Sequence, residues 1–445
     1  MRPPRSLPAI PIASPGSGRQ TVRRSCGLRA LVRPRRGDAR LALLLVPLLG
    51  ACTDLEYQGF LDRPIPITLQ ADVPLVQLLL DGGSAFTATL DSSTPLSVVD
   101  QGGSARRVQG ELRLQDARAP EVTRFIFRNL DLFDLPARLV GLDPGIAIRG
   151  VLGANLLRHF VVRLSYADEG TVTLKDQIAD TKENLASDCD PALLLGALGA
   201  RPSCLGVWST PPVGGGLVEI GGDSLELEGS RLVMPLCLLP DLFDPSPADE
   251  TGPQRTSGVP ATAVLATGQG VSVMSRSLLE RLRASGVDIA EQGPVTLHVP
   301  YGSETATLVT ITRMAAVSDE TIDLGPCAEL AHRRRLLVGS RTGVVGTDRD
   351  YQGASVALIQ RSVVFAVVDD PRPLIQGLRQ ELAPFVGDVD VLLGGSFLSH
   401  FDVDLDYPGK RVILRCAEGQ TPGACEVLPF CSFDETPRCP DRTGP

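Results

Sequence analysis

Short runs of alternating apolar and polar residues, separated by Gly, Pro and Asp clusters, recur along most of the chain. Such runs with a period of two predict β-strands joined by turns. The runs Val108–Leu114 and Glu121–Phe127 flank a Pro-containing tip and predict a β-hairpin. Helical periodicity is found only at Arg276–Ala284, at Pro373–Leu382 and, in a shorter form, at Asn155–His159. The sequence therefore predicts an all-β fold with few short helices.

An internal repeat divides the chain into two related units. The segment Gly153–Tyr166 aligns without gaps on Gly394–Tyr407 at an offset of 241, with seven of fourteen positions identical. Two aliphatic residues precede each segment, and a further short strand pattern follows each one. Seven matches in fourteen are improbable by chance, so the repeat predicts two structurally equivalent lobes.

A second pair of landmarks lies upstream of the repeat. Leu90–Ser93 reads Leu-Asp-Ser-Ser at the end of one alternating run, and Leu265–Gly268 reads Leu-Ala-Thr-Gly at the end of another. Either segment alone is compatible with an ordinary turn, in which a side chain such as Asp91 hydrogen-bonds its own backbone. Their common position before the repeated segment favours a shared structural role.

The pattern resembles the aspartic proteases of the pepsin and retropepsin fold. In that family each lobe carries hydrophobic-Asp-Thr/Ser-Gly, followed later by hydrophobic-hydrophobic-Gly on a strand that threads the first loop into a ψ shape. The resemblance covers most of residues 65–415 and implies a bilobal fold with two pseudo-symmetric lobes. It marks the catalytic-loop residues Asp91, Ser92, Ser93, Ala266, Thr267 and Gly268, and the ψ-loop residues Val151, Leu152, Gly153, Leu392, Leu393 and Gly394.

The resemblance also implies a chemistry for which this sequence retains only one of the two acids. Two facing carboxylates share one proton in the family, so one activates water while the other donates to the peptide carbonyl. Here alanine occupies the second acid position, Ala266, and Ser93 replaces a glycine of the first loop. In the family the Thr or Ser after each Asp pins the two loops together, and Ser92 and Thr267 match those positions.

The N-terminus has the features of an export signal. Arg33, Arg35, Arg36 and Arg40 precede an apolar run that ends in Leu-Gly-Ala-Cys52. Eleven apolar residues are too few to span a bilayer but suit a signal peptide, and the final four residues resemble a bacterial lipobox. The sequence therefore predicts a lipoprotein of the bacterial cell envelope, anchored in the membrane through Cys52. A cleavable signal that happens to end near a cysteine is the alternative.

The net charge argues against one class of partner, and the cysteine content supports export. The chain has 43 basic and 52 acidic residues, and without residues 1–51 the counts become 33 and 51, a net charge of −18 that disfavours nucleic acid. The eight cysteines beyond the anchor predict disulfides in an oxidising compartment. Proximity favours Cys189–Cys204 and Cys237–Cys327, with the last four paired among themselves. Zinc is a weak alternative because no Cys-x-x-Cys pair is present, and no metal or cofactor is expected. The cysteines concerned are Cys189, Cys204, Cys237, Cys327, Cys416, Cys425, Cys431 and Cys439.

These features predict an order of segments along the chain. A signal peptide (1–51) and a linker (52–64) precede an N-terminal lobe (65–178), a connector with a Cys pair (179–214), a C-terminal lobe (215–416) and a Cys-rich tail (417–445). The first functional hypothesis is a catalytically inactive pseudopeptidase that binds a peptide or protein partner in the interlobe cleft. The alternatives are an active, divergent aspartic endopeptidase that uses Asp91 and a purely structural envelope lipoprotein.

Overall fold

The computed structural model describes residues 55–103, 105–137, 141–142, 146–166, 170–176, 206–209, 212–227, 229–239, 259–299, 302–311, 314–319, 354–359, 363–386, 388–416 and 425–428. We call residues 55–176 the first half and residues 206–428 the second half. The predicted signal peptide, the anchor at Cys52 and the cysteines Cys189, Cys204, Cys327, Cys431 and Cys439 lie outside the described residues.

The first half is built on a ten-stranded sheet. Its strands are β1 (Glu56–Gly59), β3 (Thr68–Gln70), β4 (Val73–Leu80), β5 (Phe86–Leu90), β6 (Ser97–Val99), β7 (Arg106–Val108), β8 (Leu112–Gln115), β9 (Thr123–Arg128), β10 (Leu132–Asp134) and β11 (Gly150–Leu152). They follow the order β1-β9-β8-β4-β5-β11-β6-β10-β7, with β3 on β4. Strand β1 therefore belongs to this sheet although its residues fall in the predicted linker.

The second half is built on an eleven-stranded sheet. Its strands are β15 (Pro212–Val213), β18 (Arg231–Leu239), β19 (Val259–Leu265), β20 (Ser272–Ser275), β21 (Ile289–Val299), β22 (Gly302–Ile311), β23 (Met314–Asp319), β24 (Ala354–Ile359), β25 (Val363–Val368), β26 (Val391–Leu393) and β29 (Cys425–Leu428). They follow the order β21-β22-β25-β20-β26-β19-β18-β23-β24-β29, with β15 on β18. A separate hairpin joins β16 (Gly216–Ile220) to β17 (Asp223–Leu227).

A six-stranded sheet contains strands from both halves. It consists of β2 (Ile65–Pro66), β12 (Val161–Ser165), β13 (Thr171–Lys175), β14 (Gly206–Ser209), β27 (Phe401–Asp406) and β28 (Arg411–Cys416). The order is β14-β28-β27-β12-β13-β2, so the two repeated segments meet at the central pair β12–β27. This pair joins the halves through a continuous backbone ladder.

The described part of the chain contains four helices, α1 (Ala154–Leu157), α2 (Arg276–Ala284), α3 (Pro373–Val386) and α4 (Gly395–Leu398). Helix α2 has the predicted bounds, and the Ser275 hydroxyl caps it by accepting a hydrogen bond of 3.2 Å from the Leu278 N–H. None of these helices is long and apolar enough to cross a bilayer. With most elements being strands, the prediction of an all-β fold is confirmed.

The two halves cover corresponding sheet faces differently. In the second half, Ile375 and Leu382 of α3 pack on the face that carries Val273 and Leu392. In the first half, the matching face is covered by Ile220 of the β16–β17 hairpin. The β16–β17 hairpin of the second half therefore covers the first-half sheet at the place where helix α3 covers the second-half sheet.

The predicted hairpin between residues 108 and 127 is confirmed only in part. Strands β8 and β9 pair as expected, but β7 is a separate strand that pairs with β10. The break between β7 and β8 occurs at Gly110, where a Cβ atom would lie 2.7 Å from the Asp81 Oδ1 atom. That oxygen accepts a hydrogen bond of 2.7 Å from the Glu111 N–H. This side-chain contact interrupts the strand.

Candidate functional site at the paired strand-end loops

The same strand arrangement surrounds both predicted loops. Strand β11 lies parallel to β5 and antiparallel to β6, and β26 lies parallel to β19 and antiparallel to β20. The Asp91 N–H donates to the Leu152 carbonyl at 3.0 Å, and the Ala266 N–H donates to the Leu393 carbonyl at 2.9 Å. The two halves thus hold equivalent loops with equivalent hydrogen bonds.

Each inserted strand ends in a glycine that touches the loop backbone. A Cβ atom at Gly153 would lie 2.6 Å from the Thr94 carbonyl oxygen, and one at Gly394 would lie 2.6 Å from that of Val271. The N–H of each glycine donates at 3.0 Å to a serine hydroxyl of the facing strand, Ser97 or Ser272. Any side chain larger than hydrogen would separate the strand from the loop, which explains the glycine in both motifs.

Ser92 and Thr267 connect the two loops to each other. The Ser92 N–H donates to the Thr267 hydroxyl at 3.0 Å, and the Thr267 N–H donates to the Ser92 hydroxyl at 3.3 Å. Each hydroxyl then donates at 2.8 Å to a carbonyl of the opposite half, from Ser92 to Leu265 and from Thr267 to Leu90. Both side chains are fully buried, so this reciprocal set of bonds fixes the loops against each other.

The Asp91 carboxylate is hydrogen-bonded on both oxygens. Oδ1 accepts from the Ser93 N–H at 2.9 Å and from the Gly268 N–H at 3.3 Å. Oδ2 accepts from the Thr94 hydroxyl at 2.6 Å, and the Ser93 hydroxyl lies 2.8 Å from Oδ1 and 3.0 Å from Oδ2. A carboxylate offers about four lone-pair positions, and four donor groups hydrogen-bond to it here. The side chain is also buried, which leaves little access for water.

The position equivalent to Asp91 carries no polar group. Ala266 is fully buried and belongs to the apolar cluster of the second half. Gly268 of the same loop approaches the acid of the first loop, since a Cβ atom there would lie 2.8 Å from the Asp91 Cγ atom. The structure therefore brings the two loops together with one carboxylate and one methyl group.

Arg231 links the first loop to the second half and was not singled out from the sequence. Its guanidinium donates to the Ser93 carbonyl and, at 2.6 and 2.7 Å, to the two carboxylate oxygens of Glu381 on α3. A bidentate contact of this kind fixes the plane of the guanidinium. Arg231 therefore positions the loop that follows Asp91.

Two buried tyrosines from the repeated segments lie close to this region. Tyr166 and Tyr407 occupy equivalent positions, and neither hydroxyl has a hydrogen-bond partner among the described residues. Burial raises the pKa of both phenols, and the negative charge of Asp91 raises it further. Asp72 adds to the effect at Tyr166. Their matching position in the repeat was the available sequence signal.

Asp72 is a second acid beside the loops. It precedes β4, and a Cβ atom at Gly395 would lie 2.5 Å from the Asp72 Cβ atom, so it contacts the second half directly. The residue is exposed, and partial desolvation by the surrounding protein raises its pKa. Sequence reasoning missed this residue because it lies outside both motifs.

Other candidate chemistry is not supported by the described residues. They contain no group of three or more His, Cys, Asp or Glu side chains that could hold a metal ion. A surface cavity of about 360 Å³ includes Arg107, Glu111 and Arg128 in its lining but none of the predicted site residues. Cys237, Cys416 and Cys425 lie on β18, β28 and β29, and their pairing stays a prediction.

Comparison with known proteins adds no assignment. No family model matches the chain, and no curated protein matches it. The functional argument therefore rests on the geometry of the paired loops.

Proposed function

We propose that the two halves form a bilobal, aspartic-protease-like fold with two ψ-loops. The support comes from the doubled arrangement of β5, β6 and β11 in one half and of β19, β20 and β26 in the other. The reciprocal bonds of Ser92 and Thr267 add to it, because the family resemblance predicts a contact between the loops at these positions.

Within that fold, we propose an inactive pseudopeptidase that binds a peptide or protein partner in the cleft between the lobes. The observation that carries the proposal is the state of the acids: position 266 is alanine, and Asp91 accepts hydrogen bonds from four donors. A general base must accept a proton from water. Water would first have to displace the Ser93 or Thr94 hydroxyl, so the carboxylate is engaged in structure.

An open backbone edge favours an extended peptide as the ligand. Among the described residues, β21 pairs with β22 on one side and, on the other, only with Gly141 of the first half, through His298. An unpaired edge can accept an added strand through main-chain hydrogen bonds. This edge lies at a contact between the halves, where a bound peptide would reach both.

The location completes the proposal. A lipid anchor on Cys52 would hold the protein at the bacterial envelope, with the body facing the periplasm or the exterior. N-terminal mapping and mass spectrometry of the mature protein test this directly. A mature N-terminus at Cys52 that carries acyl chains is expected, and an unmodified N-terminus elsewhere would contradict the anchor.

Cleavage and binding assays test the function. The purified full-length chain is incubated with a fluorescently labelled, permanently unfolded protein between about pH 3 and 7, the range in which carboxyl pairs titrate. We expect binding, measured by fluorescence anisotropy, without cleavage. Cleavage that Asp91→Asn abolishes would overturn the inactive assignment. If the substrate is neither bound nor cleaved, a structural role is favoured instead.

Asp72 gives the active alternative a specific form. In this second candidate, an aspartic-type endopeptidase would use Asp91 together with a second acid. Asp72 is the candidate because it contacts the second half at Gly395, and desolvation raises its pKa toward that of a proton donor. The Asp72→Asn variant separates the two functions, because it should abolish cleavage in the active enzyme and leave peptide binding unchanged in the pseudopeptidase.

A further inference from the structure

The strands that join the halves pair about a single central point. Arg163 of β12 lies opposite Asp404 of β27, while Val161 lies opposite Asp406 and Ser165 opposite Asp402. Because 163 and 404 differ by the repeat offset of 241, these two residues are equivalent and face each other. The pseudo-twofold axis of the molecule therefore passes through the Arg163–Asp404 pair.

A surface with this symmetry could pair with a copy of itself. In an antiparallel ladder centred on two equivalent residues, the pairing is symmetric about that central pair. The backbone of either strand could therefore pair with a second copy of the same strand, as in a twofold dimer interface. Two second halves in this register would place Asp404 opposite Asp404 and Asp402 opposite Asp406. Two first halves would place Arg163 opposite Arg163. Like charges directly opposite each other destabilise strand pairing.

The geometry of the Arg163–Asp404 pair favours pairing of complementary halves over pairing of identical halves. Arg163 Nε lies 2.6 Å from Asp404 Oδ1, and its terminal nitrogen lies 2.9 Å from Oδ2. Asp404 is fully buried, whereas Arg163 is partly exposed. Removing one partner of a buried ion pair is strongly destabilising. Pairing of identical halves would carry this penalty and the repulsion together.

We propose that the Arg163–Asp404 pair makes the surface between the halves specific for the complementary half. The surface accepts the other half of the same chain and rejects the corresponding half of a second copy. Pairing of two first halves, or of two second halves, from different chains is then disfavoured. This inference is independent of the proposed peptide binding.

Co-expression of charge-reversed full-length chains tests the proposal. Arg163→Asp places two acids on the axis of one chain, and Asp404→Arg places two arginines on the axis of the other. Within each chain the halves then repel, but the first half of either chain complements the second half of its partner. With different affinity tags, the two variants should co-purify as a 1:1 dimer, at least about tenfold above two wild-type chains.

Two controls make every outcome decisive. Arg283→Asp reverses an exposed charge on α2 and should give no co-purification with wild type. Both reversals in one chain should restore a monomer with a melting temperature near that of wild type. The proposal is overturned if the variants co-purify no better than wild type while both are soluble. If either single variant fails to accumulate, recovery of the double reversal supports the proposal and its failure overturns it.

Discussion

Replacing Asp91 by alanine is expected to weaken the fold, because the carboxylate holds the loop of one half against that of the other. The substitution leaves the buried N–H groups of Ser93 and Gly268 without their acceptor. The Ser93 and Thr94 hydroxyls also lose their acceptor but can rotate toward others. Each buried, unsatisfied backbone donor costs about 1–3 kcal/mol, so Asp91→Ala should lower the free energy of unfolding by about 2–6 kcal/mol.

Asp91→Asn provides a graded comparison. The amide oxygen can still accept from Ser93 and Gly268, while the amide nitrogen faces Thr94, whose hydroxyl oxygen can accept instead of donating. Only the charge-assisted part of the interaction is lost, so we expect about 1–2 kcal/mol. The order of stability should therefore be wild type, then Asn, then Ala.

Guanidinium unfolding followed by circular dichroism measures both changes from the shift of the midpoint at constant slope. Asp100→Ala is the matched control, since this aspartate accepts an exposed bond of 3.0 Å from the Gly102 N–H and should cost within about 0.5 kcal/mol. If Asp91→Ala were as stable as this control, the structural role assigned to the carboxylate would be wrong. Cleavage abolished by either Asp91 substitution would contradict the proposed function separately.

Three further predictions follow from other contacts. Ser92→Ala and Thr267→Ala should each lower the free energy of unfolding by about 1–3 kcal/mol. Because the two side chains bond each other, the loss in the double variant should be smaller than the sum by about 0.5–3 kcal/mol, which a double-mutant cycle measures. At Asp116, burial raises the pKa, but bonds from Arg124 and the Arg118 and Ala119 N–H groups outweigh it and lower the pKa. Its stabilisation is therefore present above about pH 4 and lost as pH falls through the lowered pKa, so the stability deficit of Asp116→Asn at pH 7 should disappear in acid unfolding measurements. Burial and the charge of Asp91 raise the pKa of Tyr166 and Tyr407. In an ultraviolet titration, at least two of the five tyrosines should therefore stay un-ionised above the ordinary phenol pKa until the protein unfolds.

Local sequence patterns predicted the positions of most helices and strands. Helix α2 has the predicted bounds because Leu278, Leu279 and Leu282 form one apolar stripe after a Ser275 cap. Helix α3 extends four residues beyond the predicted end, through Pro384 to Val386. Proline disfavours a helix interior because it lacks the N–H that would donate four residues back, so the local pattern gave no signal for this extension. Alternation identified most strands but gave no information on their order in the sheets.

The site was predictable where the repeat supplied a register. The offset of 241 predicted that Gly153 and Gly394 are equivalent, and in the structure both make the same kind of contact with the loop backbone. Arg231 lies 138 positions from Ser93 in sequence and belongs to no motif, so only the folded chain reveals its contact. The same holds for the donor set of Asp91, because Gly268 reaches it from the other half.

The loop geometry also explains how one acid can be absent without cost to the fold. Ser92, Thr267 and the two ψ-loop glycines hold buried backbone groups, and substitution at any of them would leave those groups unpaired or displaced. A carboxylate at position 266 would instead add a second negative charge close to Asp91, in a fully buried place. Two such acids can coexist only by sharing a proton, and burying the charge is unfavourable for both. Stability therefore favours the methyl group at position 266, while the hydroxyls that join the loops are needed with or without catalysis.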